Sequence, residues 1–203
     1  MAGQSNRTSC PSLRWSAVLF LLISIVVDGL VSRNSSAQDP ITPSGLNTHV
    51  GLALNPPVGK IQYDITGGTR PGGVDGTNLF HSFGDFGVPP NNIANFLNGV
   101  SFDINGHQLQ AGLPTSNILA RVTGNIPSDI FGTIQTSGFL NANLFIMNPH
   151  GFLFGPNATV NVGGMVAFTS ADYLKLTDGV LFNNTPNIAQ DALLSASDRK
   201  SVV

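Results

Sequence analysis

Short apolar runs begin every six to eight residues between Leu144 and Leu176, and Gly, Asn or Pro closes most of them. Runs of about three to six residues are too short for helices, which bury an apolar stripe over some ten residues or more. Within LFIM, Leu144 and Ile146 fall on one face and Phe145 and Met147 on the other, a period of two that belongs to strands. The same punctuation reaches back to Ile61, through IQYDI before Gly67, NLFHSF before Gly84, FGV before Pro89, VSFDI before Asn105, ILARV before Gly124 and IFGTIQT before Gly138. All 11 acidic residues are Asp and none is Glu, the acidic residue that helices favour, so a helical bundle is excluded.

Spacing this tight favours a solenoid over a sandwich, in which turns recur about every 8–12 residues. Both faces of LFIM and MVAF are apolar, so one face can fill an interior while the other lies under a flanking layer or cap. Asn recurs at the corners, where it tolerates left-handed backbone and its amides can stack as ladders between coils. The expected fold is all-β, a parallel β-helix of about five or six coils of roughly 20 residues, with an open sandwich or jelly roll as the alternative. At 41% hydrophobic residues and a mean hydropathy of +0.16 the chain can pack a core. With 10% charged residues, a net charge of −2 and no Lys/Arg cluster, it carries no footprint for nucleic acid.

Arg7 and Arg14 precede the apolar run Ala17 to Val27 and the small-residue site Ser35-Ser36-Ala37. That order of charge, apolar core and cleavage site reads as a signal peptide, with cleavage expected after Ala37. The eleven apolar residues fall short of the roughly 20 that span a bilayer as a helix. Cys10, the single cysteine, would leave with the signal, so the mature chain could stay unfolded in an oxidising compartment without wrong crosslinks. At the other end, DRKSVV places three charges in six positions after a nearly uncharged stretch, and it is the translation of a common sequencing adapter. The natural sequence is therefore expected to end near Ser197, with a genuine polar tail as the alternative. The expected organisation is a signal peptide at 1–37, an entry and cap segment at 38–60, a truncated β-helical domain at 61–197 and an adapter artefact at 198–203.

The densest motifs lie between Asn143 and Asp172, NLFIMNPHGFLFGPNATVNVGGMVAFTSAD. Asn148, Pro149, His150 and Gly151 spell a type I turn, with Asn at i to bond back, Pro at i+1 with its φ preset, and Gly at i+3. Gly155, Pro156 and Asn157 read as a second corner, and Gly163 with Gly164 as a third. Upstream, Asn78, Leu79, Phe80, His81 and Phe83 read as a cap strand with Phe80 and Phe83 in the core. The series resembles the N-terminal secretion (haemagglutination activity) domain of the filamentous haemagglutinin family, the two-partner-secretion exoproteins. The family's NPNG motif stands here as NPHG, followed by FGPNA and NVGG. ITGGTRPGG, TNLFHSFGDFGVP and NILARVTGNIPSDIFGTIQTSG resemble the same domain in large exoproteins of cyanobacteria and other Gram-negative bacteria. The resemblance runs from about Ile61 to Leu194; the family's second motif, NPNL, is not matched, and Asn105-Gly106-His107 stands in its region.

The resemblance implies a right-handed parallel β-helix with an N-terminal β cap. It implies export to the periplasm, recognition by the periplasmic domains of an outer-membrane β-barrel transporter, and passage to the cell surface or the medium. There the domain would seed folding of a long β-helical passenger, which would itself meet any host or cell-surface ligand. Asn148 to Gly151 are then either a plain turn or a point of transporter recognition, and Asn78 to Phe83 either core or a recognition strand. One alternative is an adhesin module that binds glycan or receptor directly, for which Tyr63 and Tyr173 make a thin aromatic platform. Another is a β-helix polysaccharide lyase or hydrolase fragment, which needs carboxylates clustered at one groove. Lys60, Arg70, Arg121 and Lys175 lie far apart in sequence, the nine Asp between Gln38 and Ser197 are mostly single, and GxSxG, GxGxxG and P-loop patterns are lacking. His81 with Asp85 makes no ligand set. No catalytic residue, cofactor, metal or nucleic-acid partner is expected.

Overall fold

The computed structural model describes residues 40–99 and 112–195. In chain order the strands are β1 (Ile41–Gly45), β2 (Thr48–Leu52), β3 (Ile61–Gly67), β4 (Asn78–Phe86), β5 (Asn92–Leu97), β6 (Asn117–Val122) and β7 (Ser128–Ile130). They continue as β8 (Thr133–Ser137), β9 (Asn143–Met147), β10 (Phe152–Phe154), β11 (Thr159–Asn161), β12 (Val166–Thr169), β13 (Tyr173–Lys175) and β14 (Leu181–Asn183), and α1 (Ile188–Ser195) follows. The VSFDI run, Asn105-Gly106-His107, the signal segment and the DRKSVV tail lie outside the described residues.

The strands wind as a parallel β-helix. One sheet has the order β1-β4-β6-β9-β12 and a second the order β11-β8-β5-β3-β2, while β7 and β10 pair on a third face. Within each face every pair from β3 onward is parallel, so a strand returns one coil later directly over its predecessor. Parallel strands joined this way take the right-handed crossover. β1 and β2 run antiparallel to these faces, β1 against β4 and β2 against β3, and they close the N-terminal end; β13 and β14 form a separate antiparallel pair.

Two expectations are corrected here. Asn78 to Phe83 is not a cap strand: it lies inside β4, between β1 and β6, as the first full strand of its sheet. Capping falls to β1 and β2, both within residues 38–60. The coils are also fewer and longer than expected. Ile61 pairs with Asn92, Ile93 with Thr133, and Thr133 with Thr159, steps of 31, 40 and 26 residues. The steps nearest 20 are Leu144 to Val166, at 22 residues, and Ser128 to Phe152 on the third face, at 24. In the first of these coils, residues 68–77 between β3 and β4 lengthen the path.

Alternation decides what each sheet buries. Leu79 and Phe83 of β4, Ile118 and Ala120 of β6, and Leu144 and Ile146 of β9 point inward, where they meet Ile65, Phe96 and Ile134 from the facing sheet. The intervening Phe80, Leu119 and Met147 point outward and are covered by Leu176, Phe182 and Leu194 from the segment after β12. The two apolar faces of LFIM thus have the two destinations expected of them. Each such side chain contributes about 1.5–3 kcal/mol of burial, enough to hold a sheet that lacks disulfides.

Asparagine supplies the expected ladder. Asn78, Asn117 and Asn143 open β4, β6 and β9 in register. Asn117 Nδ2 donates to Asn78 Oδ1 at 2.8 Å, and Asn143 Nδ2 to Asn117 Oδ1 at 2.9 Å. Asn143 Oδ1 then accepts from the Met165 amide at 2.9 Å, which carries the column into the next coil. A second column on the facing sheet links Asp64 Oδ1 to Asn95 Nδ2 at 2.8 Å and Asn95 Oδ1 to Ser137 Oγ at 2.7 Å.

Candidate functional site

The NPHG corner joins β9 to β10. Its turn closes through the Gly151 amide donating to the Asn148 carbonyl at 2.9 Å, and Gly151 takes φ 87°, which a side chain would resist. Asn148 is fully buried. Its Oδ1 accepts from the His150 amide at 3.0 Å within the turn, while its Nδ2 donates to the Ile126 carbonyl at 3.1 Å and to Ser128 Oγ at 2.9 Å in the coil before. Its own amide donates to the Thr169 carbonyl in the coil after, at 2.9 Å, and the Gly151 carbonyl accepts from Ser128 N at 3.0 Å. One asparagine therefore brackets three successive coils. Pro149 is half-buried, and His150 is the member of the motif that faces solvent.

The other two corners are defined by close approach. The Ala158 amide donates to the Gly155 carbonyl at 3.1 Å, which makes Gly155 to Ala158 a turn with Pro156 at its second position and Asn157 exposed. Gly155 stands against the Phe131 ring, where a Cβ would collide. Gly163 and Gly164 press on the backbone of the preceding coil, with a Cβ on Gly164 only 2.7 Å from the Asn141 carbonyl oxygen. These corners stack coils through glycine, and the first presents Pro156 and Asn157 outward.

His81 lies inside the helix between the rings of Phe83 and Phe96, at centroid distances of 6.1 and 5.6 Å. Its Nδ1 is 3.3 Å from Thr48 Oγ1, which already accepts from the Ser82 amide at 3.0 Å and so has its proton free for the ring. Among the described residues no group of three or more His, Cys, Asp or Glu could hold a metal ion. Burial, and secondly the Arg70 guanidinium, push the His81 pKa down from 6.5 to about 3. The unfolded chain therefore binds this proton near pH 6.5 and the folded chain only near pH 3, so stability is lost as pH falls through that window and is unaffected by this group above it. Chemical unfolding between pH 7 and 5 should show a slope approaching about 1.4 kcal/mol per pH unit. His81→Gln should flatten it, and an equal slope in both proteins would refute the assignment.

Reading the charges as scattered singletons missed one contact. Arg121 sits on the outward face of β6, fully buried, and donates through Nη1 and Nη2 to the two carboxylate oxygens of Asp191, each at 2.8 Å. The signal was present in ILARV: an arginine inside a strand that is otherwise buried and apolar must have a partner. Its identity, 70 residues away, was not visible.

Residues 42–199 match the family of TPS secretion domains, and the chain belongs to that family. The match takes in β1 and β2, which lie before the Ile61 boundary drawn from motifs. A solved filamentous haemagglutinin secretion domain is similar at 23% identity and a TM-score of 0.45, over 66% of this chain, which spans 43% of the length of that structure. A search of curated proteins finds no match. The chain is thus a TPS secretion domain.

Proposed function

We propose that residues 1–37 export this chain to the periplasm, that the periplasmic domains of a dedicated outer-membrane barrel recognise it there, and that it then seeds β-helix folding at the cell surface. The observation that carries the seeding step is the contrast between its two ends. At the first end β1 and β2 run antiparallel and stop the stack. At the other, β10, β11 and β12 are each the last strand of their face, and Leu153, Phe154, Val160 and Met165 are exposed beside them. Unpaired strand edges in parallel order are a template for a further coil, so growth runs one way. The NPHG corner is the recognition point in this reading, with His150 as its exposed contact. The role is one of recognition and templating rather than catalysis, because the buried polar groups Asn148, Arg121, His81 and the asparagine column are engaged in holding coils together.

The direct test expresses the chain with and without an outer-membrane two-partner-secretion transporter from the same genome and measures the protein outside the cell. Most of it should appear outside with the transporter and remain in the periplasm without it. Equal release in the absence of the transporter would overturn the proposal.

A further inference from the structure

We infer that β13, β14 and α1 form a latch that closes over finished coils through Arg121 and Asp191 and makes folding of the emerging domain hard to reverse. The latch as a local unit stands on geometry alone, whereas its role in export rests on the secretion reading above. Three observations carry it. First, β13 and β14 pair only with each other; no strand ladder joins them to either five-stranded sheet. They are held by side chains, so they can open without unzipping a coil. Second, Leu176, Phe182 and Leu194 cover Phe80, Leu119 and Met147, which come from three successive strands of one sheet, β4, β6 and β9. The segment therefore spans and staples coils that are otherwise joined only to their neighbours.

Third, Arg121 is the point where the staple is fixed. Its Nε donates to Ser82 Oγ of β4 at 2.9 Å, its Nη1 to the Asn183 carbonyl of β14 at 3.1 Å, and its guanidinium lies 5.4 Å from the centre of the Phe182 ring. The fork then grips both Asp191 oxygens from α1. Asn187 caps that helix, accepting from the amides of Ala189 and Gln190 at 3.1 and 3.2 Å, and so presents Asp191 in its first turn. While the segment is absent Arg121 faces water at little cost; once Phe182 and Leu194 cover it, its charge needs Asp191. Because Asp191 follows β12 in the chain, the grip cannot form until the strands it clamps have been laid down.

The test compares the full chain with Asp191→Ala and with the double variant Arg121→Met, Asp191→Leu, which replaces the ion pair by apolar contact. Native-state amide exchange in wild type should be slow across β13, β14 and α1. In Asp191→Ala it should rise there by roughly 100-fold or more, and much less in β6 and β9, while the double variant recovers most of the protection. Unchanged exchange in that segment, or an equal rise in every strand, would overturn the latch. In the export assay Asp191→Ala should be released more slowly than wild type; release at the wild-type rate from a segment shown to be open would overturn its role in export. A wild-type chain that shows the exchange pattern but is never exported would instead sink the secretion reading and leave the latch standing.

Discussion

Asn148→Ala is expected to cost about 2–4 kcal/mol of stability and to reduce export sharply. The fully buried side chain makes two donor contacts and one acceptor contact. Each hydrogen bond is worth about 0.5–1.5 kcal/mol, and the Ser128 hydroxyl, on a buried residue, would be left without its partner. Asn148→Asp, of the same size, should be worse near neutral pH, because a carboxylate would face the Ile126 carbonyl with no proton to donate. Denaturant midpoints measure both variants, and stability equal to wild type would show that the bracket is not formed. His150→Ala separates recognition from turn formation. His150 is exposed, so its removal should change stability by no more than about 0.5 kcal/mol. Weak export of this stable variant would mark direct contact with the transporter, while normal export would make the corner purely structural.

Phe83→Ala is expected to have the largest effect of any single truncation in the interior, about 3–5 kcal/mol. Phe83 is fully buried, 5.1 Å from the Phe86 ring and 6.2 Å from the Phe96 ring, and it stacks on His81. These rings come from both five-stranded sheets, so the void could not collapse without drawing β4 and β5 together against their ladders. For a domain whose total stability is about 5–15 kcal/mol, that loss is a large share. Phe154→Ala gives the contrast, since this ring is 45% exposed at the open end. Its loss should lower stability by less than about 1 kcal/mol. Urea unfolding of the two variants would test the assignment of interior and edge, and equal losses would contradict it.

Much of the scaffold was legible because it depends on local rules. Period-two runs of residues with both faces apolar require strands covered on both sides, and Leu144 to Met147 behaves that way. Pro149 and Gly151 dictate a turn wherever the chain goes next, and Asn residues opening successive strands are placed to ladder. The candidate corner was therefore found by its turn chemistry. Its brackets were not, because Ile126 and Ser128 become neighbours of Asn148 only when coils stack. The coil count was misjudged for a related reason: turn residues mark every corner, and a corner that loops outward carries the same residues as one that advances the helix. The strand pairing of the 38–60 segment was hidden because ITPSG becomes a strand only by pairing with β4. α1 was hidden because eight residues are too few to show a helical period.

By itself the amino-acid order determined that this chain forms short strands, turns at Asn, Gly and Pro, and buries apolar residues on both sides of its sheets, since φ preferences and side-chain alternation act within a few residues. Tertiary structure alone decided which coils touch, that the N-terminal strands run antiparallel as a cap, and that Arg121 meets Asp191 across 70 residues. Those choices depend on the lengths of the excursions between strands and on the need of a buried charge for a partner, and neither is expressed until distant segments share one packed face.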